Sequence, residues 1–467
     1  MGKTKKREKI MNRSDYKDKK ILVFGSGKSG IGSADLLINV GAYPVIYDGN
    51  EKIVPGDVLA KVCEPDKAEC IIGEIPGDVM ASLDGVVMSP GVPTDLPIVD
   101  EFKKRNIEVI GEIELAARVS QGTIYAITGT NGKTTTTSLL GEIFRDFHED
   151  TFVVGNIGIP FTSVALDTDE DSMIAAEISS FQLETIESFR PHVSAILNIT
   201  EDHLNRHHTM EEYIRVKERI AENQDKNDFV VLNFEDDELR KFGGQIKDRV
   251  NVVYFSSKRK IEDGLYLDGD DIICGYENIG KIINVNDLNI IGVHNYENAM
   301  AAIAMAVCAG VPVESQIATL KKFKAVPHRI EFVREVKGVA YYNDSKGTNP
   351  DAAIKGIQAM KRPTFLIGGG YDKGSDYRPW IEAFDGKVKC LVLEGATKND
   401  IKAQALECGF PKDHIVMKEN MFEALQYCTE NATEGDAVLL SPACASWGEF
   451  DNYEQRGDRF REFVEKL

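Results

Sequence analysis

Residues 126–144 read AITGTNGKTTTTSLLGEIF. An apolar strand runs into Gly129-Thr130-Asn131-Gly132-Lys133-Thr134-Thr135, and a helical pattern follows. Glycines in such a turn let backbone N–H groups face phosphate oxygens. The helix start adds its positive end, Lys133 adds a full charge, and Thr134 offers a hydroxyl to Mg²⁺. The turn departs from the common G-x-x-x-x-G-K-[ST] form, because its first glycine would fall on Ile127. The shorter G-x-x-G-K-T makes a generic P-loop ATPase the wrong comparison.

On either side of this turn, strand and helix signals alternate, and the alternation starts three times. KKILVFG, YPVIYD and DGVVMSPGVP carry it first, with IEVIGEIE following; TIYAITG, SMIAAEISS, VSAILNIT and FVVLNFEDD carry it second. Residues 250–292 look more hairpin-like, and HNYENAMAAIAMAVCAG reads as a helix ending at Gly310. VAYYND, PTFLIGGG, KCLVLEG and DAVLLSP carry the third start. Such alternation implies an α/β protein with mainly parallel sheets. The expected organisation is a disordered basic tail over 1–18 and a Rossmann-like domain over 19–111. A central ATPase-type domain over 112–325 and a C-terminal Rossmann-like domain over 326–467 complete it.

The charge balance of 55 basic against 75 acidic residues gives −20, which argues against a nucleic-acid partner. Eight cysteines are scattered with no C-x-x-C pair, and no signal peptide is visible. Together these suggest a reducing cytoplasm. No apolar run reaches the ~20 residues of a membrane span. The basic N-terminus reads as a solvated tail, with a tether to an anionic surface as the alternative.

A second glycine turn, ILVFGSGKSG at 21–30, has G-x-G-x-x-G spacing in Gly25, Gly27 and Gly30. This is a dinucleotide fingerprint, but its chemistry is pyrophosphate on a helix N-terminus, which a UDP-sugar also carries. An NAD oxidoreductase would leave the 129–134 turn unexplained. A non-catalytic nucleotide-binding regulator is a further alternative.

Gly129–Thr135 resembles the ATP loop of the Mur ligases, whose relatives include folylpolyglutamate synthases. These are three-domain amide-forming enzymes that activate a carboxylate as an acyl phosphate. The resemblance implies ATP and two Mg²⁺ ions, with Lys133, Glu177, His203 and Lys217 as the catalytic set. Thr134, Glu177, His203 and Lys217, the last as a CO₂-derived carbamate, would hold the metal. Taken alone, Glu177 could be a strand-edge glutamate and Lys217 a residue on a charged helix face; His207 and His208 read as loop histidines. Asn295 and Asn298 match the adenine-proximal segment, where a helix cap is the plain alternative. His328 and Arg329, at the expected hinge near 325, match residues against adenine and phosphates. The hinge is expected to close during turnover.

YYNDSKGTNPDAA resembles the motif of the D-glutamate-adding branch of that family. It implies Asp344 near the ATP ribose and Lys346 and Thr348 at the reacting centre. LIGGGYDKGSDY and LLSPACASWGEFDNYEQRG extend the match, placing Lys373, Ser446 and Tyr453 on D-glutamate, with Asp202 nearby. Tyr453 stands where family members carry Phe. The first domain would bind UDP-N-acetylmuramoyl-L-alanine through Gly27, Lys28, Ser29, Gly30, Asp48, Ser89, Pro90 and Gly91, with Asn156 from the central domain. Gly49-Asn50 replaces the Thr-Arg common after that Asp. A monomer with no stable membrane association is expected.

Overall fold

The computed structural model describes residues 13–324, 326–371 and 374–467. Two compact units divide the chain: one runs to Ile282 and adds 298–319, and the other takes 283–297 and 320–467. Among the described residues the strands form three sheets.

The first sheet is wholly parallel, in the order β3-β2-β1-β4-β5. Its strands are β1 (Lys20–Phe24), β2 (Tyr43–Asp48), β3 (Glu69–Ile72), β4 (Gly85–Met88) and β5 (Glu108–Gly111). The second sheet comprises β6 (Thr123–Thr128), β7 (Thr151–Gly155), β8 (Met173–Glu177), β9 (Val193–Ile196), β10 (Phe229–Asn233), β11 (Asn251–Ser256), β12 (Gly264–Asp268), β13 (Asp271–Cys274) and β14 (Gly280–Asn284). Its order is β14-β13-β12-β11-β10-β9-β6-β8-β7. It is parallel from β7 through β12 and turns antiparallel at β12/β13. The third sheet, in the second unit, has β15 (Glu331–Val336), β16 (Val339–Asn343), β17 (Thr364–Gly369), β18 (Val388–Glu394), β19 (Ile415–Met417) and β20 (Ala437–Leu440). Its order is β15-β16-β20-β17-β18-β19, with only the β15/β16 pair antiparallel.

Central strands of parallel sheets are covered on both faces and so read as continuous apolar runs. MIAAE of β8 and TFLIGG of β17 are buried along their whole length. β6 lies between β8 and β9, so the strand order reverses there and a crevice opens at its C-terminal end. The turn at 129–132 starts in that crevice.

Some boundaries differ from the sequence reading. The helix after the turn starts at Lys133, not four residues later, which puts Lys133 and Thr134 in its first turn. IEVIGEIE divides into β5 and the start of a helix, Glu112–Val119. Part of the expected tail is structured: Arg13–Tyr16 is a short 3₁₀ turn, and Tyr16 is fully buried. Ala325, at the expected hinge, is outside the described residues.

Within the first unit, the helix Glu112–Val119 is held by one buried carboxylate. Glu114 accepts the N–H groups of Glu187, Ser188 and Phe189, the Ser188 hydroxyl, and Arg118 Nε at 2.7 Å. Arg118 also grips Glu108 with two hydrogen bonds. Burial alone would raise the Glu114 pKa; the Ser188 hydroxyl, the Glu187 N–H and Arg118 overcome it and hold the carboxyl below 4.5. A depressed acid contributes stability above its ordinary pKa and loses it as pH falls towards the folded value. Glu114→Ala should therefore destabilise the protein by about 3 kcal/mol or more at neutral pH. The gap to wild type should narrow below about pH 4.5, measured by urea unfolding at both pH values.

Candidate active site

The glycine turn is built as a cradle. Gly132 caps the helix Lys133–Phe147 with φ +88° and supplies no side-chain hydrogen bond. A Cβ there would collide with Asn298 Oδ1, so Asn298 packs directly on the turn. Asn198, at the end of β9, clamps the other side: its Oδ1 accepts the Asn131 N–H at 2.8 Å and its Nδ2 donates to Asn131 O at 3.1 Å. Thr130 Oγ1 lies 3.1 Å from the Tyr213 hydroxyl. Thr134 is half-buried and Thr135 buried.

Two lysines meet beneath this turn. Lys133 Nζ donates to Gly129 O and Thr130 O, each at 2.9 Å, and Lys217 Nζ donates to the same Gly129 O at 2.8 Å. Lys217 is 1% exposed and sits over the Tyr213 ring at 4.7 Å. Burial, and then the Lys133 charge, push its pKa well below the usual 10.5; Asp202 opposes them only in part. Burial therefore favours its neutral amine form.

Glu177 ends β8 beside β6, in register with Ile127. Asn156 Nδ2 donates to its Oε1 at 2.8 Å, and Oε2 is buried without a hydrogen-bond partner. An orphaned carboxylate oxygen beside a phosphate cradle is the chemistry a Mg²⁺ ion satisfies. No group of three or more His, Cys, Asp or Glu among the described residues could hold a metal. The donors are instead mixed, which suits Mg²⁺, since it takes few protein ligands and completes its shell with phosphate and water.

His203 caps the short helix Leu204–His207 at φ +53°, a strained setting for a non-glycine residue. Asp202 accepts its N–H at 2.9 Å, and its ring lies 4.9 Å from Phe181. His207 is no solvated loop histidine: it is buried, 3.0 Å from Ser180 Oγ and 5.2 Å from the Tyr213 ring. His208 is exposed, 3.4 Å from Asp95.

In the first sheet, Gly30 is required because a Cβ would run into Gly25 O. Gly27, Lys28 and Ser29 open the helix Lys28–Asn39, which has no side-chain cap. Asp48 is committed to the turn itself: its Oδ2 accepts the Ser26 N–H and hydroxyl at 3.1 and 2.6 Å, and its Oδ1 accepts the Asn50 N–H. Ser89 lies over Gly25, and Pro90 and Gly91 continue the loop after β4. Glu112, buried beside Ser89 and Pro90, accepts Gln182 Nε2 at 2.7 Å. Gln182 in turn caps Ser179, two residues beyond Glu177.

The second unit gathers a separate set. Asp344 is buried, with Oδ1 on the Ile330 N–H and Oδ2 on the Ser441 hydroxyl. Burial outweighs these donors and raises it to about 7. His328 lies 3.1 Å from Asn343 Nδ2, and burial lowers its pKa. Arg329 keeps a buried Nε without a partner. Lys346 sits 5.5 Å over the Tyr453 ring, and Thr348 is half-buried two residues on. Arg456 is fully buried and donates to Ser345 Oγ, Ser345 O and Cys444 O. It thereby ties the Lys346 loop to the Ser446 loop. Asn295 turns its amide onto Ile291 O, as a helix start does. Lys373 lies outside the described residues. Sequence reasoning passed over Asn198, Tyr213, Gln182 and Arg456. Of these, Asn198 is detectable as a polar residue at a strand end, while nothing local in the sequence signals the burial of Arg456.

Family models match three successive segments of the chain: Mur ligase MurD-like, N-terminal domain, at 19–111; Mur ligase middle domain at 127–306; and Mur ligase, glutamate ligase domain, at 328–444. A UDP-N-acetylmuramoylalanine--D-glutamate ligase of Lachnospira eligens is 55% identical over 97% of this chain and all of the relative. One from Clostridioides difficile is 46% identical over the same shares. Among solved structures, UDP-N-acetylmuramate-alanine ligase MurC of Thermotoga maritima aligns at TM-score 0.59 and 17% identity, covering 96% of this chain and 99% of that one. MurF ligase of the same organism, in complex with ADP, aligns at 0.57 and 18%, covering 98% and 97%. At such identities the structures speak for the fold alone. Matches in order along the whole length, with full-length identity of about half, place this chain in the Mur ligase family.

Proposed function

We propose that this chain is an ATP-dependent ligase that joins D-glutamate to UDP-N-acetylmuramoyl-L-alanine through an acyl phosphate, in cytoplasmic synthesis of peptidoglycan precursors. The observation that carries this reading is the paired anchoring of Lys133 and Lys217 on Gly129 O, beside the orphaned Glu177 Oε2. A cradle of this kind has use for a triphosphate and a cation. The full-length relatives named for this reaction supply the substrates.

In this reading Lys133 turns from Gly129 O to the β- and γ-phosphates, and the helix behind it adds its N–H groups. Thr134, Glu177, His203 and Lys217 as a carbamate would hold two Mg²⁺ ions. Bound Mg²⁺ offsets charge on the transferring phosphoryl group. Carbamate formation needs a neutral amine: the Lys217 nitrogen bonds to the carbon of CO₂, and the displaced proton leaves to solvent. Burial beside Lys133 favours that amine. The substrate carboxylate attacks the γ-phosphorus and ADP departs. The amine of D-glutamate then attacks the acyl carbon and phosphate leaves. Lys346, Thr348, Ser446 and Tyr453 are the described residues of the second unit assigned to D-glutamate, and Asp202 of the first unit and Lys373 are assigned with them from the sequence. Gly27–Gly30 and Ser89–Gly91 are assigned to the UDP moiety, with Asp48 shaping the turn. Asn156 acts by orienting Glu177.

Phosphate release from ATP, with UDP-N-acetylmuramoyl-L-alanine present, should depend on D-glutamate and not on L-glutamate, L-lysine or D-alanine. Lys133→Ala should lower it by about 10³-fold or more, as loss of a charge-stabilising group at phosphoryl transfer does. Release driven by another amino acid would retain the ligase and change its substrate.

Removing dissolved CO₂ should reduce turnover, and bicarbonate should restore it. Lys217→Ala should be inactive with or without bicarbonate. A wild type indifferent to CO₂ removal would sink the carbamate.

A further inference from the structure

In the six-stranded sheet, the C-terminal ends of β17 and β18 border a cavity of roughly 310 Å³. Glu394, Ser446, Trp447, Glu449 and Arg456 line it. Glu394 ends β18 and is fully buried, and its Oε2 meets no donor. Glu449 stands on the loop three residues past Ser446. Its carboxylate accepts the N–H of Met421, the first residue of the helix Met421–Asn431, and lies within hydrogen-bond reach of Glu394.

Two ionised carboxylates can only accept hydrogen bonds, so this contact is attractive only when one of them holds a proton. The surroundings decide which. Glu394 is stripped of solvent, whereas Glu449 keeps a helix N–H that favours its anion. Arg456 faces both: its Nη1 is buried without a partner while Nε and Nη2 are committed to Ser345 and Cys444.

We propose that Glu394 and Glu449 share one proton and act as positioning residues, tying the Ser446–Trp447 segment to the ends of β18 and of the helix Met421–Asn431. The clamp sets Ser446 towards the amino-acid substrate, and in that respect it rests on the ligase reading. Burial, then the Glu449 charge, push Glu394 up to about 7; Arg456 and Lys398 oppose the shift. Among the described residues, the other charged or titratable groups facing the pair are Tyr371, which lines the same cavity, Glu419, which is paired with Lys398, and Cys444, beside Arg456. Once the shared proton is lost, two anions face each other, and Arg456 offsets only one. The loop should then release.

The protein has two tryptophans, which makes the loop visible. Trp380 is fully buried, whereas Trp447 is 55% exposed and lies against Tyr371 at 5.6 Å between ring centres. Emission and steady-state kinetics should be followed from about pH 6 to about pH 9 in the full-length protein, bracketing the raised carboxyl. Trp447→Phe assigns the signal. In wild type, Trp447 emission should shift and the KM for D-glutamate should rise at least about threefold, while the KM for ATP stays level. Glu394→Gln, which keeps a donor but cannot titrate, should flatten both courses; Glu394→Ala should show the raised KM throughout. Glu449→Gln, at a more exposed position, should flatten the emission course as well.

A wild-type pH course in Glu394→Gln, or constant Trp447 emission in the wild type, would overturn the clamp. The emission arm needs no turnover. Failure of D-glutamate to drive phosphate release would count against the ligase reading and leave the clamp to be judged by Trp447.

Discussion

One carbonyl oxygen, Gly129 O, accepts hydrogen bonds from two lysines, and the active-site architecture is organised around that meeting. Two full charges hydrogen-bonded to one oxygen repel, by ~4 kcal/mol for a pair ~4 Å apart at an effective dielectric of ~20. That repulsion disfavours having both ionised. Lys133 is half-buried at the head of a helix, whereas Lys217 is buried with its nitrogen over the Tyr213 ring, so desolvation disfavours the charge on Lys217. The turn is then fixed from outside by Asn198, Asn298 and the Thr130–Tyr213 contact. An electropositive cradle above one amine whose burial disfavours its charge is suited to receiving phosphate and a metal-bearing anion together.

The same competition between desolvation and donors sorts the buried acids. Glu114 is surrounded by N–H groups, a hydroxyl and Arg118, and stays ionised. Glu112, two residues earlier in the same helix, has only the Gln182 amide, and burial raises its pKa. Asp344 has two donors and is still pushed up. Residue type fixed none of these outcomes. The number and polarity of the groups converging on each carboxyl did, and those groups come from elements far apart in the chain.

That difference also explains what could be read in advance. The strand–turn–helix at 123–147 is local, with apolar run, glycines and helix start contiguous, so it was legible, although the helix begins four residues sooner than its apolar pattern suggests. Short edge strands such as β3, β7 and β19 were not legible, because three to five half-buried residues carry no distinct alternation. Glu177 could be named from its position at a strand end, but its orphaned oxygen and its Asn156 partner depend on a loop twenty-one residues away in sequence. His207 reads as a loop histidine and Arg456 carries no local sign of burial, yet both are buried in the fold, because aromatic and backbone partners arrive from other elements.

The most direct measurement of this account is the charge on Lys217. Side-chain nitrogen resonances of isotopically labelled lysine should be titrated in CO₂-free buffer, with Lys217→Arg assigning the signal. The account predicts one lysine that loses its proton well below the ordinary 10.5. A Lys217 that keeps its proton up to the ordinary value would contradict it, and would leave the cradle with two fixed charges on one carbonyl.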